Sequence, residues 1–135
     1  MPKSWDDIVK DLDGRIEEVS TLARATALGM LALIWGLLFS DSASVQYVSK
    51  ALGSRFLIGV AASCVVILLF DFLQYAAGYL STKQAFDRAV NGESYYDMST
   101  VAYQARTWFF WLKQALVVGT VLTFVIAVLR LVAAR

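Results

Sequence analysis

The stretch FLIGVAASCVVILLFDFLQYAAGYL, residues 56–80, decides the fold class of this chain. An α-helix rises ~1.5 Å per residue, so this segment is about 38 Å long and can cross a hydrocarbon core of ~30 Å. One carboxylate, Asp71, interrupts the apolar run between Phe70 and Phe72. A charge at that depth costs ~2.5–3.5 kcal/mol, so it needs a partner, water or a proton. The stretch therefore predicts a membrane-spanning helix with a polar group inside the membrane.

The composition of the 135-residue chain also indicates a membrane protein. Hydrophobic residues make up 59% of it, whereas soluble domains contain about 45–50%. The formal net charge of +1 argues against double-stranded DNA as a partner. The chain has no histidine and a single cysteine, Cys64, which excludes a zinc site, a Cys–His nucleophile and an internal disulfide. We expect neither a metal nor a cofactor.

Two further apolar segments, residues 22–39 and 108–130, are long enough to cross a bilayer and give three predicted spans with 56–80. The preceding residues 4–22 carry apolar side chains at spacings of three and four, with acids largely off that stripe. This pattern predicts an amphipathic helix. Because its polar face is acidic, we expect it to pack on protein rather than on anionic lipid.

The connections between the spans also contain helical signals. Residues 40–55 form a polar external loop with a short interfacial helix that ends at Gly53. Beyond residue 80 the helical periodicity continues to Val90, so the second span is predicted to extend past the membrane. Asn91-Gly92 predicts a turn inside the cytoplasmic hairpin 81–107.

The distribution of lysine and arginine near the span ends predicts the orientation, because cytoplasmic segments are enriched in cations. The side of the N-terminus and the hairpin carries Lys3, Lys10, Arg15, Arg24, Lys83, Arg88, Arg106 and Lys113, and the other side carries Lys50, Arg55, Arg130 and Arg135. We therefore expect a multi-pass protein of the cell inner membrane with its N-terminus in the cytoplasm.

The predicted fold is an all-α membrane protein in one domain, residues 1–135, with three spans extended into a cytoplasmic helical bundle. Small residues recur at spacings of three and four, which lets helix backbones approach closely. The residues predicted to mediate helix–helix packing are Gly29, Gly36, Gly59 and Gly119. Packing within one chain and self-association both remain open. Since three helices enclose little interior, we expect a homo-oligomer.

Asp71 is the first candidate functional residue. Lys113 lies about 8 Å into the third span from the same side, and its long side chain can reach Asp71. An ion pair that fixes helix packing, a conducting or proton-carrying path, and a protonated Asp71 without a partner all remain open. Gln74 shares a helical face with Asp71, and Thr120 follows Lys113 by seven residues. The predicted polar path therefore consists of Asp71, Gln74, Lys113 and Thr120.

Aromatic and cationic residues collect around the hairpin on the cytoplasmic side. An interfacial aromatic belt is one interpretation, and a stacking site for a nucleotide or oligonucleotide is the other. The residues predicted to contact a cytoplasmic ligand or partner are Lys83, Arg88, Arg106, Tyr95 and Tyr96.

The amphipathic helix 4–22, the hairpin 81–107 and the polar stripes on 71–82 and 106–120 resemble the membrane effectors of bacterial nucleotide-signalled anti-phage defence systems. The resemblance is one of architecture. It implies an oligomeric protein that permeabilises or depolarises the membrane when a cytoplasmic sensor acts.

The sequence contains neither a glycine-rich phosphate loop nor a G-x-S-x-G motif, so we do not expect an enzyme, although a lipid-modifying activity remains a third class. We predict an oligomeric ion channel or permeabilising effector that is gated through its cytoplasmic helices. The alternative is a non-catalytic scaffold or accessory subunit that docks a soluble partner on the acidic first helix. The expected partners are membrane lipid, further copies of the chain, and a cytoplasmic protein or nucleotide signal.

Overall fold

The computed structural model describes residues 5–90 and 101–134, and in them all side chains except those of residues 5–10, 12 and 88–90. This part of the chain is helical and contains no strand. The helices are α1 (Trp5–Phe39), α2 (Ala43–Leu52), α3 (Ser54–Val90) and α4 (Val101–Ala133).

The helical structure of the described residues confirms the predicted all-α fold, and three of these helices are long and apolar enough to cross a membrane, as predicted. The candidate spans are Asp13–Phe39, Ser54–Asp87 and Val101–Ala133. The helices that contain them have 35, 37 and 33 residues, so each is about 50–55 Å long, well beyond a hydrocarbon core of ~30 Å. The only proline of the chain is Pro2, so no proline interrupts these helices.

The long helices follow the periodicity of the sequence. α1 runs without a break from the amphipathic segment into the apolar one, and α3 continues past Leu80 to Val90. The centre of the predicted hairpin, residues 91–100 with Tyr95 and Tyr96, lies outside the described residues.

The turn between α2 and α3 depends on Gly53. Its backbone has φ +84°, and its N–H donates to the carbonyl of Ser49 over 3.0 Å. A residue with a Cβ adopts this left-handed conformation only at a cost in free energy, whereas glycine adopts it at little cost. The carbonyl of Gly53 then accepts from the N–H of Leu57 over 3.2 Å, which starts α3 directly after α2.

α3 runs antiparallel to α1 and α4, and it contacts both of them extensively. Two small apolar clusters join them, one around Ala27, Cys64 and Ile67 and the other around Ile34, Leu57 and Val60. Many large apolar side chains on the outside remain exposed, which suits a protein whose solvent is lipid. We call the end at which α1 and α4 begin and α3 ends the N-terminal end.

Candidate functional site

The centre of the candidate site is Lys113, whose side chain is 0% exposed. Its Nζ donates to Oδ1 of Asp71 over 2.5 Å, to Oγ of Ser20 over 2.5 Å and to Oε1 of Gln74 over 2.7 Å. An ammonium group has three N–H donors. All three donors of Lys113 therefore have acceptors, which is what a buried charge requires.

The carboxylate of Asp71 is bonded at both oxygens. Its Oδ1 accepts from Ser20 Oγ over 2.8 Å as well as from Lys113, and its Oδ2 accepts from Arg24 Nε over 2.7 Å. The hydroxyl of Ser20 thus donates to the acid and accepts from the lysine. We call Ser20, Arg24, Asp71, Gln74 and Lys113 the ionic cluster.

Helical spacing explains why these side chains meet. Ser20 and Arg24 are four residues apart on α1, and Asp71 and Gln74 are three apart on α3, so each pair lies on one helical face. Ala23 on α1 is buried between its two polar neighbours. Its small side chain leaves room for α1 to approach the cluster closely.

The ionic cluster opens to its surroundings at Arg24. The side chain of Arg24 is 39% exposed, and its guanidinium carbon lies 5.2 Å from the centre of the Tyr75 ring. A guanidinium over an aromatic face is a favourable cation–π geometry. With Arg24 and Lys113 positive and Asp71 negative, the cluster has two formal positive charges for one negative charge.

Three of the four residues of the predicted polar path lie together in the structure. Asp71, Gln74 and Lys113 are all buried, and they are bonded within a single chain. The fourth, Thr120, lies elsewhere, in a groove between α3 and α4.

This groove has a volume of about 700 Å³ and receives no residue from α1. Small and hydroxyl-bearing residues form much of its wall; its lining consists of Phe56, Gly59, Val60, Ser63, Leu112, Ala115, Leu116, Gly119, Thr120 and Thr123. The hydroxyls of Ser63 and Thr123 donate to the carbonyls of Gly59 and Gly119, respectively, on their own helices. We call this feature the α3–α4 groove.

The four glycines predicted to mediate helix packing have no close neighbour within the chain. A Cβ added at Gly29, Gly36, Gly59 or Gly119 would meet no atom within 4 Å. Within the described residues, these four glycines therefore do not lie at close helix–helix contacts.

The residues predicted to contact a cytoplasmic ligand are only partly described. Lys83 is exposed, and Arg106 lies against Gly78, where a Cβ would stand 3.7 Å from the Cδ of Arg106. The side chain of Arg88, together with Tyr95 and Tyr96, lies outside the described residues. No contact between Lys83 and Arg106 occurs in the part that is described.

Sequence reasoning missed Ser20 and Arg24 as members of the site. Arg24 contributes only to the predicted orientation, although it lies inside the apolar segment 22–39. The available signal was the spacing of the two residues, which places both on the face of Ala23 and Ala27.

The hydrogen bonds of Lys113 join α4 to Ser20 on α1 and to Asp71 and Gln74 on α3, so the ionic cluster links all three long helices. Among the described residues, no group of three or more His, Cys, Asp or Glu could hold a metal ion. Comparisons of the chain with protein-family models, with curated proteins and with solved structures find no match.

Proposed function

We propose that this protein is a non-catalytic membrane scaffold, a three-helix anchor whose acidic α1 docks a soluble cytoplasmic partner. The observation that carries the proposal is the enclosure of Asp71 and Lys113, which satisfy each other inside one chain. A conducting path needs polar groups that face water or a neighbouring subunit. These two groups face each other, and their bonds fix the packing of α1, α3 and α4.

The start of α1 supports the docking part of the proposal. Asp13, Glu17 and Glu18 are exposed, and they follow the first turns of a helix that begins at Trp5. A carboxylate-rich helical surface attracts a partner with lysine or arginine on its surface, and this attraction raises the association rate. The proposed partner is therefore a soluble protein with a basic face.

The orientation belongs to the same proposal. The excess of lysine and arginine at the N-terminal end favours that end in the cytoplasm. Alkaline phosphatase is active only outside the cytoplasm, so we expect activity from a fusion at residue 135 and none from a fusion at residue 1. The reverse result would contradict the orientation and the cytoplasmic partner with it.

Ion flux separates the scaffold from a channel. The purified chain is reconstituted into potassium-loaded vesicles, and the release of potassium is followed after dilution. We expect release equal to that of protein-free vesicles. Release that rises with the amount of protein would reject the scaffold proposal.

Partner binding tests the docking surface. The variant Asp13→Asn/Glu17→Gln/Glu18→Gln is compared with Asp87→Asn, which removes an exposed acid near the same end. We expect a basic cytoplasmic protein to co-purify with the wild type and with Asp87→Asn but not with the triple variant. High salt should weaken the complex, since it screens exposed charges. Binding that survives in the triple variant would contradict docking through α1.

An oligomeric ion channel or permeabilising effector is the second candidate, and the α3–α4 groove favours it. Thr120, Ser63 and Thr123 bring hydroxyl groups to a surface that also carries small residues. Assembly of copies along this surface would place those hydroxyls between subunits. This candidate retains the predicted homo-oligomer, the gating through cytoplasmic helices and the role in anti-phage defence.

The conducting surface of this second candidate would contain Thr120 rather than Asp71. In the flux assay, Thr120→Val should then reduce potassium release, whereas Val118→Thr, at an exposed position outside the groove lining, should leave it unchanged. Release that is the same in Thr120→Val and in the wild type would exclude this path.

A further inference from the structure

Positive and negative charges are unequal in the membrane-spanning part of the chain. Residues 19–40, 42–86 and 101–134 together contain a single acid, Asp71. The same segments carry four cations towards the N-terminal end: Arg24, Lys83, Arg106 and Lys113. Charges in or near a bilayer are costly unless they are paired. Asp71 bonds both Arg24 and Lys113, so two of the four cations share the one acid of these segments.

Two of these cations reach the same turn of α3. The guanidinium of Arg24 lies over Tyr75, and the side chain of Arg106 lies against Gly78. Positions three apart on a helix are neighbours on one face. Arg106 lies along the surface of α3 at Gly78, and Arg24 covers Tyr75 on the neighbouring position of that face.

The described residues leave hydrogen-bond donors of both arginines without acceptors. Arg24 uses Nε for Asp71, and a guanidinium has five N–H donors in total. Arg106 forms no ion pair with any described side chain. The described acids of α1 and α3 that lie towards this end include Glu17, Glu18 and Asp87, and no ion pair joins these three to Arg24 or Arg106. α4 contains no acid.

We propose that Arg24 and Arg106 form a binding site for a phosphate group at the N-terminal boundary of the membrane. The planar fork of arginine matches phosphate oxygens with two parallel hydrogen bonds. The phosphate comes from an anionic lipid headgroup or from a free phosphate, and either presents oxygens that accept hydrogen bonds from both guanidinium groups. This site is independent of the proposed scaffold function, because it needs no cytoplasmic protein.

Thermal unfolding of the full chain, followed by tryptophan fluorescence, tests the site. One arm compares nanodiscs of phosphatidylcholine with nanodiscs that also contain phosphatidylglycerol. The other arm adds inorganic phosphate to phosphatidylcholine nanodiscs, with sodium chloride at equal ionic strength as reference. We expect a higher melting temperature in at least one arm, because a ligand that binds only the folded state stabilises it. A rise in the first arm identifies the headgroup as the source, and a rise in the second identifies free phosphate.

Variants assign the effect to the two arginines. Arg106→Gln is the main variant, because Arg106 does not hold Asp71 and its loss leaves the ionic cluster intact. It should weaken the apparent affinity for the phosphate source about tenfold or more, as expected for a charge-assisted hydrogen bond. Arg24→Gln should do the same. Lys83→Gln at the same end and Arg130→Gln at the other end are the controls, and both should keep the rise in melting temperature.

Two results would overturn the proposal. The first is an unchanged melting temperature of the wild type in both arms. The second is an equal loss in Lys83→Gln and Arg106→Gln, which would show general attraction of cations to an anionic surface instead of a site.

Discussion

The ammonium nitrogen of Lys113 on α4 lies 2.5 Å from a carboxylate oxygen of Asp71 on α3, and 42 positions separate the two residues in the sequence. The contact is made within one chain and needs no second subunit. Breaking such a buried pair by removing one partner is costly, because the other charge is left without compensation. The consequences differ for the two residues, since Asp71 has a second cation and Lys113 has no second acid.

Asp71→Asn should therefore destabilise the chain more than Lys113→Met. The first change leaves Lys113 buried beside Arg24 with no carboxylate, whereas the second leaves Asp71 paired with Arg24. Loss of one partner of a buried ion pair costs about 3–5 kcal/mol, and we expect Asp71→Asn near the upper value. Unfolding by sodium dodecyl sulfate in mixed micelles measures both. The double variant should be less destabilised than the sum of the single ones, and simple additivity would contradict the coupling.

Ser20→Ala should destabilise the chain, because it removes one hydrogen bond from Asp71 and one from Lys113 at a buried site. An unsatisfied buried group costs about 1–3 kcal/mol, and the same micellar titration detects that change. Ser63→Ala is the matched control, since the hydroxyl of Ser63 bonds only to the carbonyl of Gly59 on its own helix. The control should stay within about 0.5 kcal/mol of the wild type. Equal effects at the two serines would show that Ser20 contributes no more than a surface hydroxyl.

Replacement of two glycines by alanine should have opposite effects. Gly53 has φ +84° at the turn between α2 and α3, so Gly53→Ala should cost about 1–2 kcal/mol. Gly14 is helical, and a Cβ there would meet no atom within 4 Å, so Gly14→Ala should stabilise the chain by up to about 1 kcal/mol. Thermal unfolding followed by circular dichroism compares the two. Stabilisation by Gly53→Ala would contradict the left-handed turn.

Cys64 should react slowly with N-ethylmaleimide in the folded chain, because its side chain is fully buried between α1 and α3. It is the only cysteine of the chain, so mass spectrometry reports its labelling directly. Labelling should accelerate sharply in sodium dodecyl sulfate. The control is Ala62→Cys in a Cys64→Ser background, which places a thiol on the exposed surface of the same helix. Equal labelling rates in mild detergent would mean that α1 does not cover Cys64.

Gly119→Leu tests whether copies of the chain meet at the α3–α4 groove. The glycine lines the groove, and a Cβ there would meet no atom within 4 Å. We therefore expect the variant to keep the fold and the stability of one chain while weakening self-association. Sedimentation in detergent measures the mass of the assembly, with Ala62→Leu outside the groove lining as the control. Unchanged self-association in Gly119→Leu would exclude the groove as the contact surface.

Length, hydropathy and helical rise were enough to predict the spans and to place Lys113 within reach of Asp71, an ion pair being one of the three interpretations that the sequence left open. The apolar runs give the number of spans, and ~1.5 Å per residue gives the depth of each polar group. A bundle of three helices has a small interior. Two side chains of opposite charge at similar depth in it therefore have few other groups with which to pair. The extension of α3 to Val90 followed in the same way from its periodicity.

The other partners depend on helix rotation, which a single sequence does not specify. Ser20 and Arg24 join the ionic cluster only because α1 turns the face of Ala23 and Ala27 towards α3. Thr120 was assigned to the face of Lys113 from a spacing of seven residues. Seven residues span ~10 Å along a helix axis, which is beyond the reach of a threonine side chain, and Thr120 lies in the α3–α4 groove rather than in the cluster.

The placement of Lys113 on α4 and of its only acid on α3 bears on how the protein is made. A lysine inside a span opposes membrane insertion, and α4 contains no acid to offset it. Synthesis from the N-terminus delivers Arg24 first, Asp71 next and Lys113 last, so the acid that bonds Lys113 precedes it in the chain. We therefore expect the third span to insert less efficiently in a chain that lacks α3, because Lys113 would then enter the bilayer uncompensated.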